Sequence, residues 1–190
     1  MPSHFQRSED ERLVIGIAGR IGSGKTSIGK YLVSAYGFQY FRYSQVLSEW
    51  RAKDPESKSH LQEIGWEVMD GGQQAELNRR LIEQIAPGVD VAVDGLRHPI
   101  DYQSLRNTFL SSFRLLYIDS PAGERWERLR GRGRYSNFSS FEVADLHPVE
   151  QSIELLRPNA TFVFQNTGSS QDLYAALDEV IQDLRTKGHS

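Results

Sequence analysis

The chain contains no cysteine. Disulfides and thiolate metal sites are thereby excluded, and a reducing, cytoplasmic setting is the expectation. No apolar run approaches the about 18 residues that a membrane-spanning helix needs, so no membrane partner is expected. An excess of one charge is missing too: 22 Lys and Arg stand against 25 Asp and Glu, a net charge of −3. General attraction to nucleic acid or to an anionic membrane is therefore not expected. Met1 to Glu11 are polar and lack the apolar core of a signal peptide; they read as a loose tail. Internal repeats and low-complexity segments are also absent. What remains has 38% hydrophobic and 25% charged residues, an ordinary globular balance. Residues 12–190 suit one domain with a sizeable core.

One stretch organises the rest. Gly19-Arg20-Ile21-Gly22-Ser23-Gly24-Lys25-Thr26 fits G-x-x-x-x-G-K-[ST], the phosphate-binding loop. Leu13 to Ala18 before it form a short, β-branched apolar run, which reads as a buried parallel strand. Ser27 to Val33 after it carry apolar residues at helical spacing. Glycines let backbone N–H groups turn toward phosphate, and the helix presents its free N–H groups and positive dipole end to the same anion. Gly19, Gly22, Ser23, Gly24, Lys25, Thr26 and Ser27 are thus candidate ATP-binding residues. Lys25 is expected at the β- and γ-phosphates, and the Thr26 hydroxyl on Mg²⁺. The plain alternative is a strand–helix turn that binds nothing.

Along the chain, apolar periodicity alternates between strand and helix. Strands are expected near Leu13–Ala18, Phe38–Phe41, Val89–Gly95, Phe113–Asp119 and Ala160–Phe164. Helices are expected to about Tyr36, from Ser44, over Leu61–Val68, over Leu77–Ile85, from Pro99, after Ser120-Pro121, and after Ser169. Ser120 reads as an N-cap with proline at N1, and Ser139-Ser140-Phe141-Glu142 as a capping box. Val149 to Leu156 reads as helical, and residues 53–59 as a polar surface loop. The alternation implies an α/β fold: a five-stranded parallel sheet flanked by helices on both faces. Two or three helices between the second and third strands form an arm, about 42–75, suited to a second substrate.

Asp94 closes the third strand, where ligands of such sheets bind, and is a candidate Mg²⁺ group beside Thr26. Arg97, three residues on, would point into the same crevice. Five arginines then fall close together: Arg125, Arg128, Arg130, Arg132 and Arg134. Arg128 and Arg132 share a helical face and suit a transferring phosphate, while Trp126 and Leu129 face the core. Arg125, Arg130 and Arg134 read as a solvated basic face. An RNA-binding run lacks support, because aromatics do not interleave and the chain is acidic overall.

These stretches carry a resemblance. The chain is similar to the P-loop kinases of nucleoside monophosphates and to the related dephospho-coenzyme A kinases. Asp94-Gly95-Leu96-Arg97 resembles their Asp-Gly-x-Pro-Arg stretch, and Arg128-Leu129-Arg130-Gly131-Arg132 the Arg-x-x-Gly-Arg entry to an Arg-rich lid, here about 132–148. The resemblance implies a P-loop NTPase fold in which Arg128 stacks on the ATP base and Arg132 contacts the transferring phosphate. It also implies that Asn166 and Gly168, in Asn166-Thr167-Gly168-Ser169, lie along the donor adenine. Lys25, Arg97 and Arg132 become the candidate catalytic cations. The acceptor arm departs from the family. Where relatives carry Asp-x-x-Leu-Arg, with its Arg on the acceptor phosphate, this chain has Gln45-Val46-Leu47-Ser48. Arg42 or Arg51 is expected to substitute, with Arg51 preferred for its spacing from Ser48. The function expected is ATP- and Mg²⁺-dependent transfer to a small-molecule phosphate acceptor, a nucleoside or deoxynucleoside monophosphate. A dephospho-coenzyme A-type acceptor and a nucleotide-gated module without turnover are the alternatives.

Overall fold

A computed structural model describes residues 12–51 and 60–187. The expected tail at 1–11 and the polar loop at 53–59 lie outside the described residues. β1 (Val14–Ala18) runs buried through the middle of the sheet. It leads through the loop into α1 (Lys25–Tyr36), which Gly37 ends as a left-handed C-cap. β2 (Gln39–Arg42) passes straight into α2 (Tyr43–Arg51), and α3 (Leu61–Asp70) and α4 (Gln74–Ile82) complete the arm. β3 (Val91–Leu96), α5 (Pro99–Phe109), β4 (Phe113–Asp119) and α6 (Ala122–Arg130) follow. α7 (Phe138–Asp145), the short α8 (Pro148–Gln151), β5 (Phe162–Gln165) and α9 (Ser170–Lys187) close the chain.

The five strands are all parallel, in the order β2-β3-β1-β4-β5. β1 is hydrophobic on both faces, as a strand buried between helical layers must be. Its side chains alternate sides accordingly. Val14 and Ala18 join the cluster formed with Leu81, Leu105 and Leu115, under the arm and α5. Ile15 and Ile17 join Ile28, Leu32, Leu177 and Ile181 under α1 and α9. A third, small cluster packs Ile21 of the phosphate loop against Leu129 and Phe141, with Trp126 beside them. The loop is therefore wedged against α6 and α7. Among the described residues no helix is long and apolar enough to cross a membrane.

Two local expectations are corrected. Ser120 does not cap α6, whose N-cap position is Pro121. Its hydroxyl instead donates to the Asn166 carbonyl at 2.8 Å, because the ends of β4 and β5 are adjacent. The capping box of α7 is Asn137 with Ser140, not Ser139 with Glu142. Asn137 starts the helix two residues earlier and takes the Ser140 N–H at 2.9 Å. The helical stretch expected near Val149 is present, as α8 followed by a 3-10 helix, Ser152–Asn159. Ser169 behaves as expected: its hydroxyl accepts the Asp172 N–H at 3.2 Å.

Candidate functional site

The phosphate loop leaves β1 and turns back before α1. Gly19, Gly22 and Gly24 all hold positive φ. The constraint is sharpest at Gly19, with φ 145: a Cβ there would meet the Ile118 carbonyl oxygen at 2.5 Å. Ser23 is fully buried, and its hydroxyl has no hydrogen-bond partner. An orphaned buried hydroxyl within a phosphate-loop sequence fits an anion as its hydrogen-bond acceptor. Lys25 opens α1, and its Nζ donates to the Gly19 carbonyl at 2.5 Å and the Arg20 carbonyl at 2.9 Å. Burial lowers its pKa, while the negative charges of Asp94 and Glu150 oppose that shift.

β3 delivers the acid. Asp94 pairs in register with Ile17, and the sheet then slips, so that Ala18 pairs with Leu96 and Gly95 is the extra residue, at φ 93. Such a bulge re-aims the side chains beside it. Asp94 Oδ2 accepts from the Thr26 hydroxyl at 3.1 Å and from the Tyr40 hydroxyl at 2.6 Å. Thr26 and Asp94, expected together at a metal, are brought together. Two hard oxygen donors at the mouth of a phosphate loop suit Mg²⁺, which uses few protein ligands and completes its shell with water and phosphate. Tyr40 was not read from the sequence as part of this site. Burial and the Asp94 charge raise its pKa well above the usual phenol range, so it stays a donor.

A cavity of about 250 Å³ opens beside the loop, between the arm and the lid. Lys25, Thr26, Ser27 and Asp94 line it, together with Arg42, Arg97, Arg132 and Arg134. Of the two arginines expected to replace the missing acceptor grip, Arg42 is on this wall and Arg51 is not. Arg42 ends β2, opposite Asp94 in register. Arg51 sits in the last turn of the nine-residue α2, bonds the Gln73 side chain and lies 4.1 Å over the Trp50 ring. Spacing from Ser48 does not carry it inward.

The arginine run divides four ways. Arg130 is exposed and pairs with Glu127, as a solvated residue should. Arg132 and Arg134 line the cavity. Arg128 lies on the other side of the loop: its guanidinium donates to the Ser120 hydroxyl at 2.8 Å and the Asn166 carbonyl at 2.7 Å. Asn166 in turn donates to the Ser23 carbonyl at 2.7 Å. Gly168, the other residue expected at the donor base, is exposed two residues before α9. Arg125 corrects the sequence reading outright. It is 3% exposed, forks onto Asp145 at 2.5 and 2.9 Å, and donates to the Ile21 carbonyl at 3.1 Å. Its neighbour on the helical face is Leu129, four residues on and also buried, so that face turns inward.

Residues 15–146 match the AAA domain family. A UPF0200 protein of Pyrobaculum aerophilum is 27% identical over 179 residues, covering 90% of this chain and 98% of that protein. A dephospho-CoA kinase of Thermus thermophilus is 27% identical over 194 residues, covering 90% and 92%. A gluconokinase structure from Sinorhizobium meliloti shares the fold at TM-score 0.63 and 16% identity, over 95% of this chain and 99% of that one. With the matched region running from β1 through α7, the chain belongs to the AAA domain family, and its five-stranded parallel sheet is that of the P-loop kinases.

Proposed function

We propose that this chain transfers the γ-phosphoryl group of ATP to the phosphate of a small acceptor, a nucleoside or deoxynucleoside monophosphate. The observation that carries the acceptor class is the cavity wall. It presents the cations Arg42, Arg97, Arg132 and Arg134, while each of its three carboxylates is already engaged. Asp94 accepts from Thr26 and Tyr40, Asp101 from Gln74, Asn78 and two backbone N–H groups, and Glu150 from Ile21. A hydroxyl acceptor needs a base to take its proton. A phosphate acceptor is already ionised and needs only positive charge and position.

In this reading the loop N–H groups and Ser23 hold the donor phosphates, with Arg128 and Asn166 on the base side and Gly168 beyond them. Thr26 and Asp94 hold Mg²⁺, directly or through water; when bound, the ion neutralises charge developing between the β- and γ-phosphates. Lys25, Arg97 and Arg132 face the transferring group, and Arg42 takes the acceptor phosphate. The dephospho-CoA kinase relative supports a second reading, a sugar hydroxyl as acceptor. A panel of monophosphates and dephospho-coenzyme A, incubated with ATP and Mg²⁺ and scored by mass, separates the two. Product from dephospho-coenzyme A alone overturns the monophosphate reading. ATP consumption indifferent to every acceptor favours a nucleotide-gated module.

Arg42 gives a sharper check. Arg42→Ala is expected to raise the acceptor KM about tenfold or more, because a charge-assisted contact is worth roughly 1.5–3 kcal/mol. The KM for ATP should stay nearly constant. Arg51→Ala should leave both constants unchanged; a rise in acceptor KM there instead would return the role to Arg51.

A further inference from the structure

One buried carboxylate bridges the two halves of the site. Glu150 is 1% exposed. Its Oε2 accepts the Ile21 N–H of the phosphate loop at 2.8 Å, and its Oε1 lies 3.2 Å from Arg97 Nη1. Neither partner is near it in sequence. α8 is a single turn held open by Pro148 and capped by His147, whose Nδ1 accepts the Val149 N–H at 3.3 Å. That turn brings Glu150 to the cavity between loop and β3.

The same segment fixes Arg97 from behind. Ser152 Oγ donates to the Arg97 carbonyl at 2.8 Å, and Asp101 Oδ2 accepts the Arg97 N–H at 2.9 Å. The backbone of Arg97 is thus held on both sides, and Glu150 aims its side chain. A buried carboxylate is costly unless paired, and one placed beside a phosphate site also opposes the incoming anion.

We infer that Glu150 is a positioning residue: it ties Arg97 to the phosphate loop, so that this cation at the transferring group and the donor phosphates keep one fixed spacing. The inference rests on the role proposed above for Arg97. Phosphoryl transfer needs reacting atoms at near-contact distance, and a misplacement of about 1 Å can cost on the order of 10²-fold.

The test is a double-mutant cycle on turnover, with ATP, Mg²⁺ and an equimolar mixture of AMP, GMP, CMP, UMP and dTMP. Glu150→Gln is expected to lower kcat about ten- to a hundredfold and to move the ATP KM less than about twofold. In an Arg97→Ala background the same substitution should cost less than about twofold, because its effect acts through Arg97. An undiminished cost in that background, or a wild-type kcat for Glu150→Gln, overturns the inference. An Arg97→Ala enzyme with wild-type turnover overturns it together with the role of Arg97. If the mixture is not phosphorylated, the acceptor reading fails by itself. The cycle is then read on ATP hydrolysis, where the same coupling is expected. Should Glu150→Gln not fold, Glu150→Asp keeps the charge but is too short to span both partners, and it enters the same cycle with the same outcomes.

Discussion

Lys25→Ala is expected to lower kcat by about 10²–10³-fold, the cost of removing one preorganised donor from a transition state that spreads charge. The side chain stands at the first position of α1, over the loop carbonyls of Gly19 and Arg20. Those two contacts place the ammonium inside the loop, where γ-phosphate oxygens would replace the carbonyls as partners. Burial already lowers the pKa of Lys25, so the ammonium is poorly solvated where it sits. A poorly solvated cation gains more from an arriving anion than one facing water. Folding should change little. Alanine forfeits two hydrogen bonds, but it also removes a buried charge and its desolvation cost, and the two effects oppose each other. The melting temperature should therefore move by about 4 °C or less, equivalent to roughly 1 kcal/mol at this chain length. Turnover and a thermal melt on the same preparation check both halves. Near wild-type turnover would remove Lys25 from the chemistry, and a collapsed melt would show the loop to be a packing element first.

How much of this was legible in the sequence depends on the reach of each interaction. The phosphate loop could be read because eight consecutive residues set its shape: glycines permit the turn and an apolar strand and helix flank it. β4 emerges at Phe113–Asp119, as its apolar run predicts, and Thr26 meets Asp94 because α1 starts just beyond β1, the strand that β3 pairs with in parallel. Failures came where a side chain's partner is distant. Ser120 reads as a cap, yet its hydroxyl goes to a carbonyl 46 residues away. Glu150 meets Ile21 across 129 residues, and no local pattern announces that. Arg51 was favoured by counting along α2, yet of the two it is Arg42, at the end of β2, that lines the cavity. Arg125 is the instructive miss. Leu129 was read as facing the core, and a residue four positions earlier shares its face, so the same periodicity already turned Arg125 inward. Its place within a basic run obscured that.

Arg125→Ala is expected to lower stability by about 3 kcal/mol, which at this size corresponds to a melting temperature lower by roughly 6–12 °C. The guanidinium has four protein contacts: two to Asp145, one to the Ser120 carbonyl at 2.9 Å and one to the Ile21 carbonyl at 3.1 Å. It also lies 5.4 Å over the Phe141 ring. Alanine would strand two carbonyls and half-orphan a carboxylate whose side chain is 11% exposed. Breaking a buried ion pair from one side typically costs about 3–5 kcal/mol. The lower end applies here, because Arg20 remains 3.1 Å from Asp145 and keeps part of its charge compensated. Arg125→Lys should recover only part of the loss, since an ammonium cannot fork onto a carboxylate and reach two carbonyls as well. Arg130→Ala, from the exposed pair with Glu127, is the matched control and should change stability by less than about 0.5 kcal/mol. A double replacement, Arg125→Met with Asp145→Leu, should melt above Arg125→Ala, because both strand the same two carbonyls but only the single one leaves a half-paired buried carboxylate. If Arg125→Ala melts with the wild type, Asp145 has found water or Arg20 in its place. The tie between the lid base and the phosphate loop is then carried by Glu150 and Arg20, and Arg125 only fills space over Phe141.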